Sequence, residues 1–265
     1  MTTIAGTGED EFTSSLQKYF VTSLRSTKKS SYPYSAADLM EPSTLAPILA
    51  QQSALLGNAE KLVVGTLFAK RFSVFIMGLI AAASLHDTLL SAAPNHIRFR
   101  LTQGGAMAYE TEIADASLLP ALCTEERVLL FQDYVMRLQN HVEALFQAVA
   151  LHTSTNIKVM WTLVSHNLQQ LYVRLEADQE QWRTSERLEL IRRDRAVLFE
   201  PLDGNRLGVQ LRIFEHPDWH GPRFYLRRHC CLAYQIDHGT VAPDYCTTCP
   251  KLTAEDRLQL LRNNE

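Results

Sequence analysis

Cysteine is scarce along most of this chain: of five in 265 residues, only Cys123 precedes position 230. A lone thiol cannot staple the body, so any disulfide would have to form among the last four, and a reducing cytoplasm suits the free thiols better. Neither sign of charge is in large excess. A formal net charge of -3 and a pI near 6.3 give no global electrostatic reason to expect nucleic acid. Long apolar runs are missing too. The longest, residues 72–85, covers fourteen positions and includes Ser73, Gly78 and Ser84; a bilayer span needs about twenty, so a buried helix is expected there and no transmembrane segment. Residues 1–10 lack a basic stretch leading into an apolar one, so no secretory signal is expected. A nucleotide loop is also wanting: Gly6-Thr7-Gly8 has no third glycine in place and no strand before it. Neither a repeat nor a low-complexity tract is evident.

What remains reads as an α+β chain long enough to bury a sizeable core. The expected architecture is a mainly helical body over residues 1–215, carrying a small antiparallel sheet, followed by a terminal segment, 216–265. Phe12, Leu16, Phe20 and Leu24 share one helical stripe, which predicts an amphipathic helix over 11–24. Residues 26–35 read as a polar loop. Ser43 or Thr44 is placed to cap a helix ending at Gly57-Asn58, with Pro47 in or near its first turn. A long buried helix is predicted over 60–85, with Gly65 and Gly78 as points of interruption. Ile97, Phe99 and Leu101 alternate with His96, Arg98 and Arg100, predicting a strand that turns at Gly104-Gly105 into a second over 106–113. Arg98 and Arg100 then share a face, either solvated or meeting an anion. Helices follow over 124–151, 156–175 and 178–195, a short strand over 209–213, and a closing helix over 253–261.

The chemistry concentrates where the cysteines do. Cys230-Cys231 is followed by fourteen residues and then Cys246-Thr247-Thr248-Cys249, and four thiolates suffice to hold a metal centre. Structural zinc sites usually draw on C-x-x-C pairs, whose intervening residues let the chain turn both sulfurs onto one ion. Adjacent cysteines project in different directions, which suits a multi-metal unit better. Spacing leaves zinc and iron-sulfur both open, with inert buried thiols as a third reading.

The run Arg228-His229-Cys230-Cys231-Leu232-Ala233-Tyr234, with Tyr245-Cys246-Thr247-Thr248-Cys249-Pro250, resembles the C-terminal signature of the FhuF-like ferric siderophore reductases. The loop between the pairs is longer here than is typical of that family. The resemblance covers residues 223–252 and implies that Cys230, Cys231, Cys246 and Cys249 bind one [2Fe-2S] cluster. It further implies a cytoplasmic enzyme of iron acquisition, in which the cluster passes single electrons to a ferric siderophore bound by the body. Fe(II) carries less charge than Fe(III) and binds hard oxygen donors more weakly, so one electron loosens the chelate. Without a dinucleotide fingerprint, electrons are expected from a separate donor such as a ferredoxin or flavin reductase. The competing classes are a zinc-stabilised binding protein and an iron-sulfur sensor without turnover.

Around the cysteines, Arg227, Arg228 and His229 are either ordinary surface groups or positive charges that raise a cluster's reduction potential. His216, His220, His229 and His238 add a Rieske-like alternative in which histidine replaces a cysteine ligand, or a proton carrier. The spacing of His216 and His220 occurs in zinc sites, but Pro217 and Gly221 argue against the helix that would align them. Trp161, Trp182, Trp219, Arg223 and Tyr225 are candidates to line a siderophore pocket, against their plainer roles in core and surface.

Overall fold

A computed structural model describes residues 6–26, 29–114, 116–236 and 245–263. The chain runs through α1 (Gly6–Phe20), β1 (Thr22–Arg25), β2 (Tyr34–Ser35), α2 (Pro42–Leu55), α3 (Lys61–His86), β3 (Thr88–Leu89), β4 (Ile97–Leu101), β5 (Met107–Glu112) and β6 (Ser117–Leu118). It continues through α4 (Glu125–Thr153), α5 (Ile157–Ala177), α6 (Gln179–Trp182), α7 (Ser185–Leu198) and α8 (Ala254–Arg262). The fold is α+β, as the sequence predicts. Its four-stranded sheet has the order β1-β5-β4-β2, in which β1 pairs parallel with β5 and the other pairs are antiparallel. A two-stranded ribbon joins β3 to β6.

α3 is the central post. Phe68, Phe72, Phe75, Ile76, Leu79 and Ile80 are all buried along it, and it packs against α5, α1, α4 and α7. Among the described residues it alone is long and apolar enough to cross a bilayer, yet 78% of its most apolar window is buried inside the fold. Neither glycine interrupts it. Gly65 instead lets α3 approach the α4–α5 junction, since an added Cβ would collide with the Thr153 and Thr155 hydroxyls.

Several boundaries depart from the sequence expectation. The first helix stops at Phe20 because Val21 takes a left-handed φ of 50°, and Leu24 belongs to β1, where it faces the sheet register of Thr111. α2 starts on Pro42 with no side-chain cap, so neither Ser43 nor Thr44 plays that part, and Pro47 lies inside the helix. The helical stretch expected over 178–195 breaks at Arg183 (φ 56°) into α6 and α7. Residues 209–213 form no strand; a single bridge, Ile213 to Tyr225, is all that remains. Arg98 donates to the Tyr32 and Pro33 carbonyls and Arg100 lies over the Tyr32 ring, so both tie the 30s loop to the sheet.

One end of the helical layer is locked by a buried ionic network. Arg127, fully buried, donates to Asp194 and Asp87 and to the Ala83 and Pro120 carbonyls, while Arg187 clamps Asp87 from the other side. Burial pushes the Asp194 carboxyl above the usual range, opposed by its bonds to Arg127 and Ser84. This lock joins α3, α4 and α7. The middle of α5 carries the cysteine segment.

Candidate metal centre

The cysteine segment is stitched to α5 by an unusual polar stripe. Ser165 donates to the Leu207 carbonyl, Gln169 to Val209, and His166 and Gln170 both to Tyr225, at 2.7, 2.8, 3.0 and 3.0 Å. Residues at i, i+1, i+4 and i+5 of a helix lie on adjoining faces, so four side chains can grip two passes of extended chain. Burial pushes the His166 pKa down to about 4, the Tyr225 carbonyl pulling only weakly the other way. His166 is therefore a neutral donor at physiological pH. Residues 212–214 and 224–226 then pair as a short hairpin, with Leu226 N to Arg212 O at 2.7 Å and Phe214 N to Phe224 O at 3.0 Å.

From that anchor the backbone delivers the first cysteine pair. Leu232, at a left-handed φ of 61°, turns the chain immediately after the doublet, and its N–H points back to Cys230 Sγ at 3.4 Å. The second pair sits on a tight turn closed by Cys249 N to Cys246 O at 2.9 Å. α8 fixes this turn from behind. Thr253 caps the helix, and buried Arg257 reaches the Cys249 and Thr247 carbonyls at 2.5 and 2.8 Å. The two halves meet where Arg227 N donates to Thr248 O, at 3.1 Å.

The four sulfurs come together as two crossed pairs. Cys230 Sγ lies 3.8 Å from Cys249 Sγ, and Cys231 shares a hydrogen bond with Cys246. Each pair thus takes one member from the doublet and one from the C-x-x-C. Two thiolates on one tetrahedral metal, each about 2.3 Å from it, are roughly 3.8 Å apart, so the first pair already has ligand spacing. Among the described residues no group of three or more His, Cys, Asp and Glu is set around a single ion position. Cys231 and Cys249 are buried, Cys230 and Cys246 partly exposed.

Arg227 bridges the second pair. Its guanidinium is 7% exposed and donates from Nη1 to Cys231 Sγ at 2.7 Å and from Nη2 to Cys246 Sγ at 2.9 Å. The Cys246 hydrogen bond, with the charges of Arg227 and Lys70, pulls the Cys231 thiol well below its usual range, while the same bond and burial push the Cys246 thiol up. Cys230 is pushed up by burial and by the neighbouring thiols. Lys70 and Arg71, from mid-α3, and Arg257 also place their charges within electrostatic reach of these sulfurs.

These residues fit an anionic thiolate-held metal group. Four soft donors converge, cations compensate their charge, and the buried Arg227 Nε has no hydrogen-bond partner among the described residues. The site keeps donor capacity for more negative charge than the thiols carry.

The other sequence candidates scatter. Arg228 is exposed, and His229 is half-buried beside the doublet without bonding to any sulfur among the described residues. His216 Nδ1 accepts from the Asp218 N–H in a local turn, His220 is exposed, and His238 lies outside the described residues. Trp161 is core, bonded to Glu143; Trp182 belongs to a cleft beside α1; Trp219 packs on Phe224, and Arg223 is exposed. Of these candidates Tyr225 lines a cavity and lies two residues before Arg227 in the chain. Sequence reasoning missed Lys70, Arg71, His166, Gln170 and Arg257. A signal existed for some: Lys70-Arg71 interrupts the apolar α3, and Ser165-His166 and Gln169-Gln170 repeat at helical spacing within α5.

No protein-family model matches this chain. No curated protein matches it either.

Proposed function

We propose that this chain is a [2Fe-2S] protein that reduces ferric siderophores by one electron, releasing iron as Fe(II). The observation that carries the reading is the crossing of the cysteine pairs under one buried arginine. A binuclear unit has two metals, each needing two protein sulfurs, and two cysteine pairs, the second bridged by Arg227, match that demand. When bound, the cluster supplies single-electron transfer. The chain's own residues do the rest.

Cys230 and Cys249 would hold one side and Cys231 and Cys246 the other. Arg227 donates to a sulfur of the second pair at each end of its fork, favouring the state with more negative charge. Burial of Cys231 and Cys249 keeps water from half of the ligand set, while partly exposed Cys230 and Cys246 leave a face for electron exchange. His166 and Gln170 hold Tyr225 and, through it, the position of Arg227. The substrate's ferric ion takes the electron and is then bound less tightly by its hard oxygen donors; the electron is replaced by a separate donor such as a ferredoxin or flavin reductase. The cytoplasm, where thiols stay reduced, is the compartment this chemistry suits.

Anaerobic purification tests the reading. Reddish-brown protein carrying iron and labile sulfide, bleached by dithionite and reoxidised on mixing with ferric hydroxamate or catecholate chelates, is the expected result. Colourless protein with stoichiometric zinc would overturn it in favour of a structural metal site. Coloured protein that reduces no chelate would make it a sensor.

A further inference from the structure

A cavity of about 890 Å³ opens between α7 and the extended chain at 208–211, with Tyr225 in its wall. Gly208 brings the two sides together, since a Cβ there would come within 3.1 Å of the Glu200 carbonyl. Phe199, Val209 and Leu211 supply apolar surface to its walls, α7 supplies Arg192, Arg193 and Arg195, and two carboxylates, Glu176 and Glu200, offset part of that charge. Arg195 is committed to Glu176 at 2.6 Å and to the Tyr225 hydroxyl at 2.9 Å. Arg192 and Arg193 are exposed and have no ion-pair or hydrogen-bond partner among the described residues.

We propose that this cleft binds the ferric chelate, and that it selects net-anionic chelates presenting carboxylate or catecholate oxygens to Arg192 and Arg193. The proposal rests on the reductase reading and adds the place and charge class of the substrate. Size fits: ligand clefts run from about 300 to 1,000 Å³ and combine apolar walls with a few polar groups. Charge fits as well, because an unpaired guanidinium fork matches paired anionic oxygens, whereas two such cations repel a cationic chelate. Position is the third argument. Tyr225 and Arg227 are two residues apart, a span of at most about 7 Å, and Arg227 touches two of the four sulfurs. A chelate against Tyr225 therefore sits one short peptide from the electron source. The concave shape favours a small ligand over the flat face of an acidic donor protein.

Gallium(III) chelates carry the charge and geometry of the ferric ones and are not reduced. Iron-loaded wild-type protein and R192E/R193E are titrated calorimetrically with anionic gallium tricatecholate, gallium citrate and a cationic gallium trihydroxamate. Steady-state reduction of the ferric counterparts is measured in parallel. Wild type should prefer the anionic complexes, and the double reversal should weaken them by at least about tenfold, the worth of one charge-assisted pair, raising KM with iron content and dithionite bleaching unchanged. The milder R192Q/R193Q should show a smaller loss in the same direction. Unchanged anionic binding in both variants, or a wild-type preference for the cationic complex, would overturn the proposal. So would intact chelate binding with slower electron input from an acidic ferredoxin, which would make the face a donor dock. If anionic chelates bind through these arginines and are never reduced, the cleft assignment stands and the reductase reading falls.

Discussion

Replacing Arg227 by Gln removes one buried positive charge about 3 Å from two sulfurs while keeping a polar side chain of similar reach. If an added electron resided wholly on those sulfurs, its interaction with the guanidinium at an effective dielectric near 20 would be about 332/(20 × 3), or roughly 5.5 kcal/mol. For a one-electron couple that is about 240 mV, taking 59 mV for each 1.36 kcal/mol. Arg227 touches two of the four sulfurs, so an electron spread evenly over the ligand set feels about half of this. The midpoint potential of R227Q is therefore expected to fall by roughly 120 mV. R227K restores charge without the fork and should recover part of the drop. Anaerobic redox titration followed by visible absorbance and electron paramagnetic resonance gives the number, with iron and sulfide analysis confirming equal loading. A fully loaded R227Q whose potential matches wild type within error would refute the electrostatic role. R227Q that fails to load while R227K loads and titrates low would still support it.

The same physical reasoning gives three further outcomes. Arg127→Leu strands Asp194, itself 2% exposed, and breaking such a pair costs about 3–5 kcal/mol; a chain of this size should lose roughly 10 °C in Tm, partly restored by adding Asp194→Asn, and a loss under about 1 kcal/mol would mean that the network is slack. Gly65→Ala forces a methyl against Thr153 and Thr155 and should cost about 1–3 kcal/mol by denaturant unfolding, of which T153A/T155A should relieve only part, because the Thr153 Cβ that alanine keeps still lies 2.8 Å from the new methyl. His166, held at about 4 when folded against an ordinary 6.5, keeps its full contribution above pH 6.5 and loses it as pH falls from 6.5 towards 4, about 3 kcal/mol in all. His166→Gln keeps a donor for Tyr225 without titrating, so its stability curve should be flatter over that window; identical acid limbs would remove His166 from the account.

Periodicity carried the fold wherever one face is simply buried. α3, α4, α5, α8 and the β4–β5 hairpin follow from apolar spacing, and Thr124, Asn156 and Thr253, where three of these helices were expected to begin, each accept a backbone N–H of the first turn. What periodicity misses are changes of direction made by single backbone conformations. Val21 and Arg183 take positive φ without being glycine, so nothing local announced the strand after α1, and the break before α7 was signalled only by the Thr184 cap with Glu186 behind it. Val209, Leu211 and Ile213 alternate as a strand would, but the Val209 carbonyl is taken by Gln169 of α5 and Ile213 meets Tyr225 in a single bridge. The cysteines were legible because sulfur in that spacing has few structural uses. Their electrostatic surroundings were not, because Lys70 and Arg71 arrive from α3, some 160 residues earlier, and only tertiary packing brings them near. Of the three residues flagged before the doublet, the buried one, Arg227, reaches sulfur.

The cysteine segment is continuous with the body and not a detachable tail. Cys231 belongs to the main hydrophobic core, and the pairing of Ile213 with Tyr225 runs across position 215. The polar stripe on α5 makes the dependence mutual. Ser165, His166 and Gln169 are buried, and each buried donor left without its carbonyl would cost about 1–3 kcal/mol, so α5 is stable in this form only with residues 207–225 laid across it. Those residues in turn set Arg227, which sets the sulfurs. On the proposed reading, metal loading and folding of this end would be coupled: binding would fix the crossed pairs, and the fixed pairs would hold closed the strip of chain on which the helical layer already relies.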